Sequence, residues 1–403
     1  MTGASVHDPA KEQRDAARAL ALLSLFFFLL VAGAYLYTAN WGQSIPRDGT
    51  SLVVGRDFLN FWMYGRTALT PDPSRFYDAV TYNQELAALL GANYPGQNWS
   101  YPPSIMLLAL PFGQLTYLQA LLCWTVLGAA LFFVVARRHL NDPRLLLALR
   151  LSPAAVLCII SGQSSLITVA ILIGIFAYLD HRPIVAGVLI GLLTLKPQLG
   201  LLFPVMLMAS GRWRAFAAAS VMSIAIAAVT AALFGPQVWL DFVLKGLPTN
   251  NIVMADPDGI ATPFYPTIFM NMRGVGAGYA LAMAVQLCFS AAAVAAVIWA
   301  FRFCRDANPR VLMALFFACS ISAVPYLLSY DTLALTFAAL MLLEAGKLDA
   351  LGLRFVQLAF WLPILQIGFG TWHIPGPALI APAFAAYLVL RLRVDASPVP
   401  APA

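Results

Sequence analysis

Twelve apolar runs between residues 20 and 390 leave this chain few ways to fold. They read as candidate membrane spans over 20–39, 115–136, 145–160, 163–179, 184–195, 198–209, 215–234, 278–301, 311–328, 332–345, 355–371 and 376–390. A helix needs about 20 apolar residues to cross a hydrocarbon core about 30 Å thick, so the shorter runs must stop part-way, inside protein or a wet cavity. Of the 403 residues, 61% are hydrophobic and 10% charged, whereas soluble domains carry about 25% charged residues. No water-facing fold could hide so much apolar surface. The expected class is an all-α polytopic membrane protein with about twelve spans.

The few charges then become a topology signal. With the N-terminus inside, 17 of the 24 Lys and Arg residues fall in cytoplasmic segments, as the positive-inside rule requires. The basic residues are scattered rather than striped, which argues against nucleic acid despite the net charge of +6. Half of the 18 acidic residues fall outside, and so do the two long connections, 40–114 and 235–277. Function is expected on that face. The polar segment 1–19 reads as cytoplasmic. The run from Leu20 shows no clean cleavage site and reads as the first span of one domain over 20–391. The Pro/Ala-rich segment 392–403 reads as a disordered cytoplasmic tail. Cys123, Cys158, Cys288, Cys304 and Cys319 lie in or beside apolar runs, without metal-ligand spacing, and read as small buried hydrophobes.

The first outer connection is not a plain linker. Helix-like pieces at 58–69 and 78–91 and a short apolar element at 102–113 are separated by Pro and Gly. Its aromatics (among them Phe61, Trp62, Tyr64, Tyr77, Trp99 and Tyr101) suit segments lying in the membrane interface, or rings that stack on sugar or isoprenoid.

Two stretches are too long for one span and too short for two. Residues 151–179 break at Ser161-Gly-Gln-Ser-Ser165, and 184–209 break at Leu195-Lys-Pro-Gln198. Each half of the second is about 18 Å long at 1.5 Å per residue. Its apex should therefore lie below the outer surface. Lys196 there is costly unless it snorkels to water or meets an anion, such as a lipid phosphate. At the other apex Gln163 either hydrogen-bonds sugar or phosphate or satisfies nearby backbone. Asp57 follows the first span. It could cap the helix that starts there, pair with Arg56, or act as a general base toward an acceptor hydroxyl. Asp331 could bind sugar or cap a helix, and Asp256-Pro257-Asp258 could suggest a metal site, against which its outer position argues.

The ordered stretches GRDFLNFWMYGRTAL (55–69), RFYDAVTYNQ (75–84), WSYPPSIMLLALPF (99–112), SGQSSLITVAIL (161–172), AGVLIGLLTLKPQLGLLFPVML (186–207), GRWRA (211–215) and VPYLLSYDTLAL (324–335) resemble glycosyltransferase family 87, polytopic enzymes of the GT-C superfamily. The family includes mycobacterial phosphatidylinositol mannoside mannosyltransferases. The resemblance implies a GT-C-type bundle with interfacial helices in the first outer loop. It implies an inverting transfer of a hexose, with mannose a candidate, from a polyprenyl-phosphate sugar to a lipid or glycan acceptor. The reaction would run at the extracytoplasmic face of a bacterial inner membrane, without a cofactor or metal. Asp57 is the implied base. Lys196, with Arg56 or Arg66, would meet the phosphate, and Gln163, Tyr330 and Asp331 would line the substrate site. In the corner at 324–335, where the mycobacterial enzymes carry a His, this chain has Tyr330 and Asp331. The rival reading, a transporter or flippase, would call for repeated halves with matching broken helices. Here the two broken hairpins are adjacent.

Overall fold

The computed structural model describes residues 9–255, 262–346 and 348–396. Among them there is no strand, only isolated bridges pairing Asn40 with Arg47 and Arg47 with Val53. The α-helices, in chain order, are α1 (Pro9–Thr38), α2 (Arg56–Thr67), α3 (Ala79–Leu90), α4 (Ile105–Gly113), α5 (Tyr117–Ala136), α6 (Pro143–Arg150), α7 (Pro153–Ser161), α8 (Ser165–Tyr178), α9 (Pro183–Leu192), α10 (Phe203–Ala209), α11 (Trp213–Phe234), α12 (Gln237–Asp241), α13 (Leu247–Ala255), α14 (Ile268–Gly274), α15 (Tyr279–Phe303), α16 (Pro309–Ala323), α17 (Leu333–Ala345), α18 (Ala350–Thr371) and α19 (Ile380–Ala396).

Seven stretches among the described residues are helical, long and apolar enough to cross a membrane: Lys11–Thr38, Tyr117–Ala136, Pro143–Ser161, Trp213–Phe234, Tyr279–Phe303, Ala350–Thr371 and Gly376–Val394. The remaining expected spans are shorter apolar helices, so seven of the twelve runs are long enough to cross a membrane. Of the short ones, α8, α16 and α17 sit inside the bundle, whereas α9 and α10 expose one side, with Ile184 and Met208 outward. α8 and α17 are apolar on every side and almost wholly buried, as helices ringed by other helices should be. Pro153 starts α7 after a two-residue break at Leu151 and Ser152 in the third stretch, where its missing N–H costs nothing.

Three boundaries differ from the sequence reading. α1 begins at Pro9, eleven residues before the apolar run, and carries the polar segment upward as helix. α19 continues to Ala396, past the expected start of the tail at 392. The connection 235–277 is largely helical where described, with a π turn at Phe242–Gly246 between α12 and α13. Asp256-Pro257-Asp258 lies outside the described residues.

Segments assigned to one side of the membrane touch one another. At one end, Ser104 Oγ donates to the Thr194 carbonyl at 2.9 Å and Thr267 Oγ1 to the Pro325 carbonyl at 2.8 Å. Tyr77 packs on Phe242 across the two long connections. At the other end, Glu344 accepts the backbone N–H groups of Asn141 and Asp142, and Arg212 pairs with Asp180.

The first long connection folds into a small core of its own. Trp99 stacks on Tyr64 at 3.7 Å, with Tyr82 and Phe76 around it, and all four are buried. Trp62 and Tyr64 are expected from the sequence to face the interface or a ligand, and both are buried. Tyr64 and Tyr77 both donate their hydroxyls to the Tyr101 carbonyl. Aromatics with satisfied hydroxyls pack well in an apolar core, so the loop carries packing of its own. α2 crosses α4 at backbone contact: a Cβ on Gly65 would lie 2.2 Å from the Ala109 carbonyl oxygen. Only glycine permits that approach, and it fixes α2 over the bundle.

Candidate active site

α2 starts from Gly55, whose left-handed backbone (φ 71°) turns the chain out of the preceding loop. No side chain caps this helix, so Asp57 does not serve as its cap. Nor does it form an ion pair with Arg56, although that guanidinium's charge favours its ionised form. Tyr117 holds the start of the helix from α5, donating to the carbonyls of Val54 at 2.7 Å and Gly55 at 3.0 Å.

The half-buried carboxylate of Asp57 faces the turn between α7 and α8. That turn reverses at Gly162, also left-handed (φ 68°). A Cβ there would come within 2.5 Å of the Phe58 Cβ and 3.4 Å of the Gly55 Cα. Two left-handed glycines thus bring the two backbones into contact, and the next residue, Gln163, reaches Asp57. Its Nε2 lies 3.3 Å from Asp57 Oδ2, 3.0 Å from the Tyr101 hydroxyl and 2.8 Å from the Tyr330 hydroxyl.

Lys196 enters from the break after α9. The helix tightens through a single turn at Leu193–Leu195, opens at Lys196 (φ −145°, ψ 74°) and resumes after Pro197. The ammonium is buried (3% exposed) and does not snorkel. It meets an anion, but the anion is the carboxylate of Asp331: Nζ lies 2.5 Å from Oδ1. Ser165 Oγ donates to the same oxygen at 2.6 Å. Asp331 sits in the turn Ser329–Thr332 before α17 and caps no helix. Its Oδ2 is buried and has no hydrogen-bond partner among the described residues. The Tyr330 ring lies 5.0 Å from Lys196 Nζ, its hydroxyl on Gln163. Tyr330 therefore joins the Asp57 and Lys196 halves of one cluster.

Of the residues singled out by sequence, Asp57, Gln163, Lys196, Tyr330 and Asp331 come together. Arg56 stands at the exposed rim. Arg66 does not join them. It lies ten residues along α2, about 15 Å away at 1.5 Å per residue, and its guanidinium covers the Trp62 ring at 4.6 Å. Tyr101, read from the sequence only as one of the loop's aromatics, belongs to the cluster through its hydroxyl; Ser165 belongs to it and was not singled out, nor were Tyr265 and Tyr326, whose hydroxyls lie 3.2 Å apart beside it. Ser165 could have been noticed, since it closes the same apex sequence as Gln163. Tyr265 is 208 residues from Asp57 and carries no local signal.

Burial pushes the Asp57 carboxyl above its usual value, and hydrogen bonds from Tyr330 and Gln163 with the charges of Arg56 and Lys196 pull the other way. Burial, and secondarily the charge of Asp57, pushes the Tyr101 hydroxyl up, so it remains a proton donor. A carboxyl raised above its ordinary value is, when ionised, a stronger base toward a hydroxyl than a free carboxylate. An ammonium with one N–H on Asp331 keeps two for a second anion. Among the described residues no group of three or more His, Cys, Asp and Glu side chains could hold a metal ion.

Residues 99–329, more than half of the chain, match the sequence model of glycosyltransferase family 87. No curated protein and no solved structure matches. The match takes in Tyr101, Gln163, Ser165 and Lys196 and stops just short of Tyr330, while Asp57 precedes it. A helical bundle with seven apolar spans and a buried polar cluster at one end is the setting in which such chemistry would be housed: the chain belongs to glycosyltransferase family 87 and is a membrane glycosyltransferase.

Proposed function

We propose that the chain transfers a hexose, with inversion, from a polyprenyl-phosphate sugar to a hydroxyl of a lipid or glycan acceptor at the extracytoplasmic face of a bacterial inner membrane. The observation that carries this reading is the joining, through Gln163 at the α7–α8 turn and Tyr330 before α17, of the half-buried carboxylate on α2 to a buried ammonium at the break after α9. Buried charges at membrane depth are expensive and are kept for function.

Asp57 takes the proton of the acceptor hydroxyl as its oxygen bonds to the anomeric carbon. The bond from that carbon to the phosphate oxygen breaks on the opposite face, and polyprenyl phosphate departs with one more negative charge. Phosphate is a good leaving group, so the demanding tasks are activation of the hydroxyl and stabilisation of the growing charge. Lys196 meets that charge with the N–H groups Asp331 leaves free, as a point charge suited to phosphate. Arg56, at the rim, adds a second cation. Asp331 holds the ammonium in place, and its unpartnered Oδ2 accepts a sugar hydroxyl.

The test is reconstitution in vesicles with a panel of radiolabelled polyprenyl-phosphate hexoses and a membrane-lipid extract. The reading expects label on a new glycolipid or glycan with the anomeric configuration inverted. Movement of intact donor between leaflets without transfer would replace it with a flippase.

A further inference from the structure

The Gln163 amide can point in only one direction. Its Oε1 accepts the backbone N–H of Ser164 at 2.8 Å and lies 3.0 Å from the Ser164 hydroxyl. A backbone N–H cannot accept, so turning the amide end for end would set donor against donor. Nε2, with two N–H groups, is thereby turned to Asp57 Oδ2 and the Tyr330 hydroxyl, while the Tyr101 hydroxyl lies within reach of both amide atoms, 3.2 Å from Oε1 and 3.0 Å from Nε2. The backbone makes the same commitment, because Gly162 and Gly55 hold the turn and the start of α2 in contact.

From this geometry we infer that Gln163 is a positioning residue for Asp57: its fixed amide N–H holds Oδ2, favours the ionised carboxylate and leaves Oδ1 for the acceptor hydroxyl. The inference rests on Asp57 being the base. Gln163 neither gives nor takes a proton; the acceptor proton ends on Asp57. A hydrogen bond donated to a carboxylate stabilises its charged form; for Asp57 the Tyr330 hydroxyl and the Arg56 charge act most strongly in that direction against burial, and the Gln163 bond adds to them. The other groups around Asp57 are Arg56 on its own helix, Lys196 from the turn after α9, Asp331 and Tyr330 before α17, Tyr101 before α4, and Tyr265 and Tyr326 from the two loops beside them. Asp331 is already matched by Lys196. Changing Gln163 leaves all these groups in the sequence and removes one donor.

The experiment is the pH profile of kcat/KM for sugar transfer by wild type, Gln163→Met, Gln163→Glu and Asp57→Asn in the same vesicles. A general base must be ionised, so the rate falls as pH drops through its pKa. Without the amide donor that pKa rises. The acid limb of Gln163→Met should move up by about one pH unit, a loss of about tenfold on the limb that higher pH restores. Gln163→Glu can still accept the Ser164 N–H and sets a second carboxylate against Asp57, so its limb should move further. It carries the test if the Met variant does not fold. Equal loss at every pH, with the limb unmoved in both variants, would reduce Gln163 to a structural residue and overturn the inference. A wild-type profile from Asp57→Asn would instead remove Asp57 as base, whatever Gln163 does.

Discussion

At the scale of single residues, the site is a balance between the cost of burial and the value of held charge. Burial favours the neutral carboxyl of Asp57, so its folded pKa lies above the unfolded value. Such a group favours folding at low pH and opposes it once pH rises through the folded value. Asp57→Asn should therefore raise the melting temperature slightly at neutral pH while lowering transfer by about 10²–10⁴-fold, the usual worth of a general base. Circular dichroism melts and a transfer assay on the same preparation would check both. Lys196 and Asp331 make the opposite case. Removing one partner of a buried pair strands the other, typically at about 3–5 kcal/mol, whereas replacing both with apolar groups is often neutral. Lys196→Met should destabilise strongly, and adding Asp331→Leu should restore most of the stability but not the donor affinity. Recovery of donor binding in the double variant would argue against Lys196 at the phosphate. The cost of an unpaired Lys196 at membrane depth was legible in the sequence. Its partner was not, because 135 residues separate it from Asp331 and no local pattern links them.

At the scale of elements, the helices were legible because their periodicity and punctuation are local. The pieces expected at 58–69 and 78–91 are α2 and α3, displaced by a residue or two. The short hairpin at 184–209 was readable from length alone, since two 12-residue halves cannot cross 30 Å, whereas the first arm of the other belongs to the full-length stretch Pro143–Ser161. The direction in which the aromatic loop faces was not readable. Composition cannot distinguish a ring lying in the membrane interface from one buried in a loop core, and Trp99 with its neighbours is buried. What holds α2 over the site is the approach of Gly65 to α4. Gly65→Ala would drive a Cβ to 2.2 Å from a carbonyl oxygen, so one helix must shift by an ångström or more. Overpacking of this kind costs about 1–3 kcal/mol. The melting temperature should fall, and transfer should fall further than stability explains, because α2 carries Asp57. Unchanged activity would mean that the crossing does not set the site.

At the scale of the whole molecule, the all-helical, membrane-spanning character follows from hydropathy, the number of full-length spans does not, and the fold keeps loops assigned to the same side in mutual contact. That grouping is geometric, and sidedness has its own test. A membrane-impermeant thiol reagent applied to intact cells should label Asn93→Cys in the first long loop and not Arg138→Cys after α5, both exposed positions. The reverse pattern would place the site inside. The chemistry itself is tested most directly by moving labelled hexose from a polyprenyl-phosphate donor to a membrane acceptor with wild-type protein and with Asp57→Asn, both shown to be folded. The account predicts label on the acceptor with wild type and a loss of at least a hundredfold with Asp57→Asn; transfer at the wild-type rate by Asp57→Asn would contradict it.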